Sequence, residues 1–228
     1  MGKQKDVAAK TRIKRHVVQS GPGIVACLQS AFFIAPNHPL LDERISDYLT
    51  LCGWVYVTKQ GDQRIFCKSV AGNDTFGYGL DLHQGLRFLG SSGSGINCQS
   101  TFKQVPLQHW THVALSFSPE GATFYINGEP RHHCPVRGSL DPGPLPLHLG
   151  MAARGSPYSG PFEGRMCMMS IHSIAMTTEE IEVTMHRPGA IRRGLVALWP
   201  MNSSESLGMD ISGNNLHLTE HGRITSMF

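Results

Sequence analysis

The stretch WTHVALSFSPEGATFYING, residues 110–128, decides the fold. Residues 112–117 read as one strand and 122–126, with Thr123, Phe124, Tyr125 and Ile126, as the next. Ser118-Pro-Glu-Gly121 supplies the turn between them. Asn127-Gly128 then offers two residues that tolerate positive φ, the demand of a tight hairpin. A period of two places Phe124 with Ala122 and Ile126 on one face, and Thr123 with Tyr125 on the other. Both faces hold apolar surface, as a strand inside a packed body requires.

The pattern continues on either side. Short strands are predicted at 24–28, 31–34, 49–57, 64–67, 78–82, 86–89, 96–102, 145–149, 164–171, 195–199 and 216–218, separated by glycine-rich breaks such as 90–95. One helix is predicted: Thr177-Thr-Glu-Glu180 matches a capping box, Ile181 and Met185 share a face, and Pro188-Gly189 stops it. No strand–helix–strand period exists. The fold class expected is all-β, an antiparallel sandwich with one short helix near the C-terminus.

With 228 residues, 16% of them charged, the chain is long enough for a full core and too weakly charged for disorder or a long coiled coil. Its net charge of +3 is uneven. Lys3, Lys5, Lys10, Arg12, Lys14 and Arg15 stand against Asp6 in the first 16 residues, while the remaining 14 basic and 16 acidic residues leave the body at −2. Residues 1–22 therefore read as a basic arm suited to an acidic surface, and 23–228 as one sandwich with 189–228 packed back onto it. No apolar run reaches the length of a membrane-spanning helix. The stretch 23–35, broken by Gln29 and Ser30, lacks the cleavage pattern of a signal peptide. The single acid among the first 35 residues keeps a mitochondrial presequence as the alternative to a cytoplasmic location.

Cys27, Cys52, Cys67, Cys98, Cys134 and Cys167 include no C-x-x-C and several lie in apolar runs, so buried thiols are expected, with disulfides as the alternative. The sequons at Asn73 and Asn202 gain meaning only in a secretory route. Met166-Cys-Met-Met169 reads as pliable core filling.

Taken in order, Leu51-Cys-Gly-Trp54-Val, Tyr78-Gly-Leu-Asp-Leu82, Trp110-Thr-His-Val-Ala114, Phe124-Tyr-Ile-Asn-Gly128, Phe162-Glu-Gly164 and Ile174-Ala-Met-Thr-Thr-Glu-Glu180 resemble the strands and helix of a concanavalin A-like, laminin-G-like jelly roll over residues 24–186. The segment 195–214 is similar to the one that normally opens such a domain. The resemblance implies a concave sheet used for glycans, proteins or lipids, sometimes with Ca²⁺ at its rim, and no single function.

Candidate sites are few. The paired-carboxylate strand of related glycosidases has no counterpart here, and no nucleophile elbow or phosphate loop occurs, so no enzyme activity is expected. Asn73, Asp74, Asp81 and Asp141 are dispersed calcium-ligand types, and 210–214 reads as a side-chain-braced turn. His109, His112 and the His132-His-Cys134 run are zinc-ligand types, but 109 and 112 point to opposite strand faces, and 132–133 read as an exposed loop. No metal or cofactor is assigned. Trp110 reads as a sheet anchor in preference to a glycan platform. The function expected is a non-catalytic structural or protein-interaction module in a large intracellular assembly, cytoskeletal or axonemal, with a ribonucleoprotein particle as rival host. Its partner would be an acidic protein surface such as tubulin, met by Lys3, Lys5, Lys10, Arg12, Lys14 and Arg15. RNA ranks second and glycan lower; the alternative reading is a lectin-like carbohydrate-binding module.

Overall fold

A computed structural model describes residues 25–29, 31–69, 77–91, 95–100, 105–152, 160–202, 207–222 and 225–227. In chain order the strands are β1 (Val25–Gln29), β2 (Phe32–Ala35), β3 (Leu49–Val57), β4 (Gln63–Cys67), β5 (Tyr78–Leu82), β6 (Leu86–Gly90), β7 (Ile96–Gln99) and β8 (Trp110–Ser118). They continue as β9 (Gly121–Ile126), β10 (Glu129–Cys134), β11 (Leu147–Leu149), β12 (Glu163–His172), β13 (Leu195–Trp199), β14 (Thr219–His221) and β15 (Thr225–Met227). Helix α1 spans Thr178–His186.

The strands form two antiparallel sheets facing each other. One has the order β10-β9-β8-β3-β12-β1-β15, with β13 also beside β12; the other runs β14-β2-β11-β4-β5-β6-β7. Alternation explains the sandwich. Leu51, Val55, Leu115, Phe117 and Phe124 point from the first sheet into the same core as Phe33, Phe66, Leu80, Phe88 and Leu149 from the second, and all are buried. Phe88 and Phe117 meet there with ring centroids 5.4 Å apart. The hairpin at 127–128 has the expected left-handed residues, Asn127 at φ 51° and Gly128 at φ 80°, and the Asn127 side-chain oxygen accepts the His112 amide at 2.9 Å.

Helix α1 lies on the outer face of the eight-stranded sheet. Its capping box is closed both ways: Thr177 Oγ1 accepts the Glu180 amide at 3.3 Å and Glu180 accepts the Thr177 amide at 3.1 Å. Ile181 packs with Met176 on Cys52, Ala114 and Tyr125. Trp54 fixes the helix end, its indole N–H donating to the Met185 carbonyl at 3.3 Å. Met166, Cys167 and Met169 fill the core as expected. A bulge in β12 between Cys167 and Ser170 faces Gly53, where a side chain would collide with the Met169 sulfur.

Three local expectations change. Residues 129–134 form edge strand β10, although Pro130 and the polar run EPRHHC read as a loop; an edge position with a bulge between Pro130 and His132 tolerates both. The strand expected at 216–218 falls instead at Thr219–His221. Among the cysteines, Cys98 on β7 and Cys134 on β10 are joined by a disulfide with Cα atoms 6.1 Å apart, while Cys52, Cys67 and Cys167 are buried thiols.

At the chain's end β13 pairs with β12, β14 with β2, and β15 with β1. Asp210 braces this region: its carboxylate accepts the amides of Leu198, Ser212 and Leu216 at 2.9–3.0 Å. The Trp199 indole donates to the Leu216 carbonyl at 2.7 Å. The segment 210–214 is thus the side-chain-braced turn read from its sequence.

Candidate functional site

Helix α1 covers the outer face of the eight-stranded sheet only as far as the row containing Trp54 and His112. The next row stays partly open. On adjacent strands β8, β3 and β12 it consists of Trp110, Tyr56 and Arg165, directly opposite one another in register. The pleat places them outward because Val55, Val57 and Val113 point inward. The Trp110 and Tyr56 rings lie 5.7 Å apart at 59°, and the Arg165 guanidinium sits 4.8 Å above the centre of the Tyr56 ring. Among the described residues Arg165 pairs with no carboxylate. The row thus offers two aromatic faces beside a cation whose hydrogen bonds are not consumed by an acid.

Its backing is rigid. Gly164, at φ 152°, lets β12 run so close to β3 that a side chain there would strike the Tyr56 carbonyl. One step further along the same face Glu163 pairs with Lys59 at 2.9 Å, and Thr58 donates to the Glu163 carbonyl at 2.9 Å. These residues border a cleft of about 250 Å³ lined by Lys59, Gln60, Asp62, Gln63, Pro161 and Glu163. Asp62 is held by His83 at 2.6 Å. The aromatic and guanidinium row therefore leads, through Glu163 and Lys59, to a polar cleft that reaches across to β4 of the second sheet.

The other candidates are placed differently. Lys3, Lys5, Lys10, Arg12, Lys14 and Arg15 lie outside the described residues, as do Asn73, Asp74 and Tyr158. Tyr78 is buried, its hydroxyl reaching the Leu41 carbonyl. Asp81 is neutralised between Arg64 and Arg87 across strands β4, β5 and β6, so it has no free ligand capacity for calcium. Where loops 37–42 and 141–143 converge, the cation is a lysine: the buried Lys68 ammonium donates to Asn37 at 2.9 Å and Gly143 at 2.6 Å and pairs with Asp42 at 2.5 Å.

The histidines separate as well. His109 is exposed, its Nδ1 2.7 Å from the Leu107 carbonyl. His112 is buried edge-on against Trp54, and burial, aided by the nearby His186, pushes its pKa down to about 3. Burial likewise lowers His172 to about 4. His132 and His133 belong to strand β10 and point to opposite faces, which corrects the loop reading; His133 contacts Thr123 at 3.0 Å. His132 lies beside the Cys98–Cys134 bridge.

Sequence reasoning singled out Trp110 as a sheet anchor, and Trp110 does pack against the core while keeping part of its ring open; it did not single out Arg165, Glu163 or Lys59. The alternation of β8 carried the missing signal: with 113, 115 and 117 inward, 110 must face outward.

Comparisons with known proteins agree with this architecture. A candidate carbohydrate-binding protein from Bacteroides ovatus superposes with a TM-score of 0.70 at 18% identity, covering 90% of this chain and 60% of that one. The chain thus spans about three fifths of that protein. A heptameric SAP-like pentraxin from Limulus polyphemus superposes with a TM-score of 0.60 at 14% identity, covering 90% and 94% of the two chains. At these identities both show the fold alone. No curated protein matches the sequence. Among the described residues no helix is long and apolar enough to cross a membrane. Nothing in the fold or the comparisons ties the chain to a cytoskeletal, axonemal or mitochondrial location. The ranking of partners with an acidic protein surface first, RNA second and glycan lower is overturned by the family match, whose own description is of lectins and glucanases. That match covers residues 31–182, 152 of the 228, and on it the chain belongs to the concanavalin A-like lectin/glucanases superfamily.

Proposed function

We propose that this domain is a non-catalytic carbohydrate-binding module that holds a sugar on the open row of the eight-stranded sheet. Trp110 and Tyr56 would stack on the apolar C–H face of a pyranose. Arg165 and the amide of Gln60 would meet its hydroxyls. The observation that carries the reading is the partly open Trp110–Tyr56–Arg165 row beside a polar cleft. Membership of a superfamily of lectins and glucanases and the described role of the Bacteroides protein support it.

The non-catalytic half of the proposal rests on the carboxylates. Glycoside cleavage requires one carboxyl group kept protonated by a dry surrounding and a second poised across the bond. Glu163 is already engaged by Lys59, and Asp62 by His83, with the Asp62 side chain 56% exposed. Neither has the dry setting that would make it a general acid.

A glycan array probed with the full chain, with and without a chelator, tests the binding reading. Binding to a defined set of saccharides that survives chelation is expected. Silence across the array under both conditions would sink the proposal. Incubating any bound oligosaccharide with the protein and measuring new reducing ends tests the rest; steady release would overturn the non-catalytic part.

A further inference from the structure

Strand β10 is the outer edge of one sheet and β7 the outer edge of the other, and the two edges meet through three side chains. Cys98 points inward from β7, sharing the buried face with Ile96 while Asn97 and Gln99 are exposed. On β10, His132 and Cys134 lie opposite Phe124 and Ala122, both core residues, so they too face the gap between the sheets. The imidazole stacks on Phe124 with centroids 6.2 Å apart. The two sulfurs and a ring nitrogen of His132 all lie within 4.8 Å of one another. The His132-His-Cys134 run thus finds its third partner in Cys98 from the facing sheet, and His109 and His112 are not among its neighbours.

We propose that Cys98, Cys134 and His132 form a zinc site gated by the redox state of the two cysteines. Two thiolates and an imidazole select Zn²⁺ over harder cations, and among the described residues no carboxylate joins them to favour Ca²⁺ or Mg²⁺. Tetrahedral coordination at about 2.3 Å to sulfur and about 2.0 Å to nitrogen requires the sulfurs to part by about 1.7 Å, which an edge strand can absorb. The fourth position is left to water.

The chemistry balances. A dithiol reductant supplies two electrons and two protons to the Cys98–Cys134 bond, which breaks to two thiols as the reductant closes to its own disulfide. The thiols release their protons to solvent as Zn²⁺ binds. In reverse, a low-molecular-weight disulfide takes two electrons from the two thiolates, leaves as two thiols, and frees the metal. Disulfide and zinc are mutually exclusive occupants, so metal loading reports the redox state of the surroundings.

The test titrates Zn²⁺ into the full chain against a colorimetric chelator, once oxidised and once after reduction and removal of the reductant. The reduced chain should retain a single zinc and the oxidised chain none. His132→Ala, which leaves the disulfide able to form, should weaken retention at least about tenfold. The double variant Cys98→Ser, Cys134→Ser should retain none. A reduced chain that holds no zinc, folded or not, overturns the proposal. So does zinc held equally by the oxidised chain or by the double variant.

Discussion

Lowering the pH from 7 to 5 should destabilise this fold through two buried histidines. His112 on β8 packs against Trp54 under helix α1, and His172 lies at the end of β12 beside the connection to β13; His186 acts on the first and Glu180 on the second. Their pKa values, about 3 and about 4, lie below the ordinary 6.5 that they regain on unfolding. Below pH 6.5 the unfolded chain therefore binds protons that the folded chain refuses, and stability falls with pH until each folded value is reached. At pH 5 each histidine costs about 2 kcal/mol relative to pH 7, so together about 4 kcal/mol, a large share of a domain's stability. Urea unfolding followed by tryptophan fluorescence at pH 7, 6 and 5 measures this directly. His112→Gln and His172→Gln should each remove about 2 kcal/mol of the fall between pH 7 and 5, whatever they do to stability at pH 7; His148, also lowered by burial, adds to what remains. A wild-type profile that is level over this range, or a slope untouched by either variant, would refute the reasoning.

Three further outcomes concern the scaffold. The Cys98–Cys134 bridge closes a 36-residue separation, so reduction, or Cys98→Ala with Cys134→Ala, should cost about 4 kcal/mol on the chain-entropy account; thermal unfolding with and without a dithiol measures it. Lys68→Met strands the Asp42 carboxylate and the carbonyl of Gly143 and should cost about 3 kcal/mol, with hydrogen exchange rising in segments 37–42 and 141–143. Gly164→Ala forces a side chain onto the Tyr56 carbonyl at positive φ and should lose about 1–3 kcal/mol; an unchanged melting temperature would show that β12 does not press on β3 there.

Much of the sandwich was legible because strand signals are local. The alternation in 110–126 with the turn after Ser118 specifies the β8–β9 hairpin, Asn127-Gly128 marks the next turn, and the capping box at Thr177 specifies the start of α1. What stayed hidden depends on elements far apart in the chain. Cys98 and Cys134 meet only because β7 and β10 are the corresponding edges of two sheets, and no spacing rule encodes that. Strand β10 itself hides behind Pro130 and a polar composition that suits an edge. Tyr56, Trp110 and Arg165 become one surface only when β3 is set between β8 and β12 in register. Charge drew attention to the N-terminal arm, because a run of lysines and arginines is visible without a fold. A platform of two rings and one guanidinium is not.

The most direct measurement is isothermal titration of the strongest array ligand into wild type, Trp110→Ala and Tyr56→Ala, with circular dichroism confirming that each variant is folded. Both residues are partly exposed on the sheet's outer face; Trp110 also packs against the core, which makes the dichroism control essential for its variant, while Tyr56→Ala removes mainly stacking surface. Each variant should lose about 2 kcal/mol of binding, roughly thirtyfold in Kd. Saccharide binding that persists at wild-type affinity in both would contradict the assignment of this row as the sugar site.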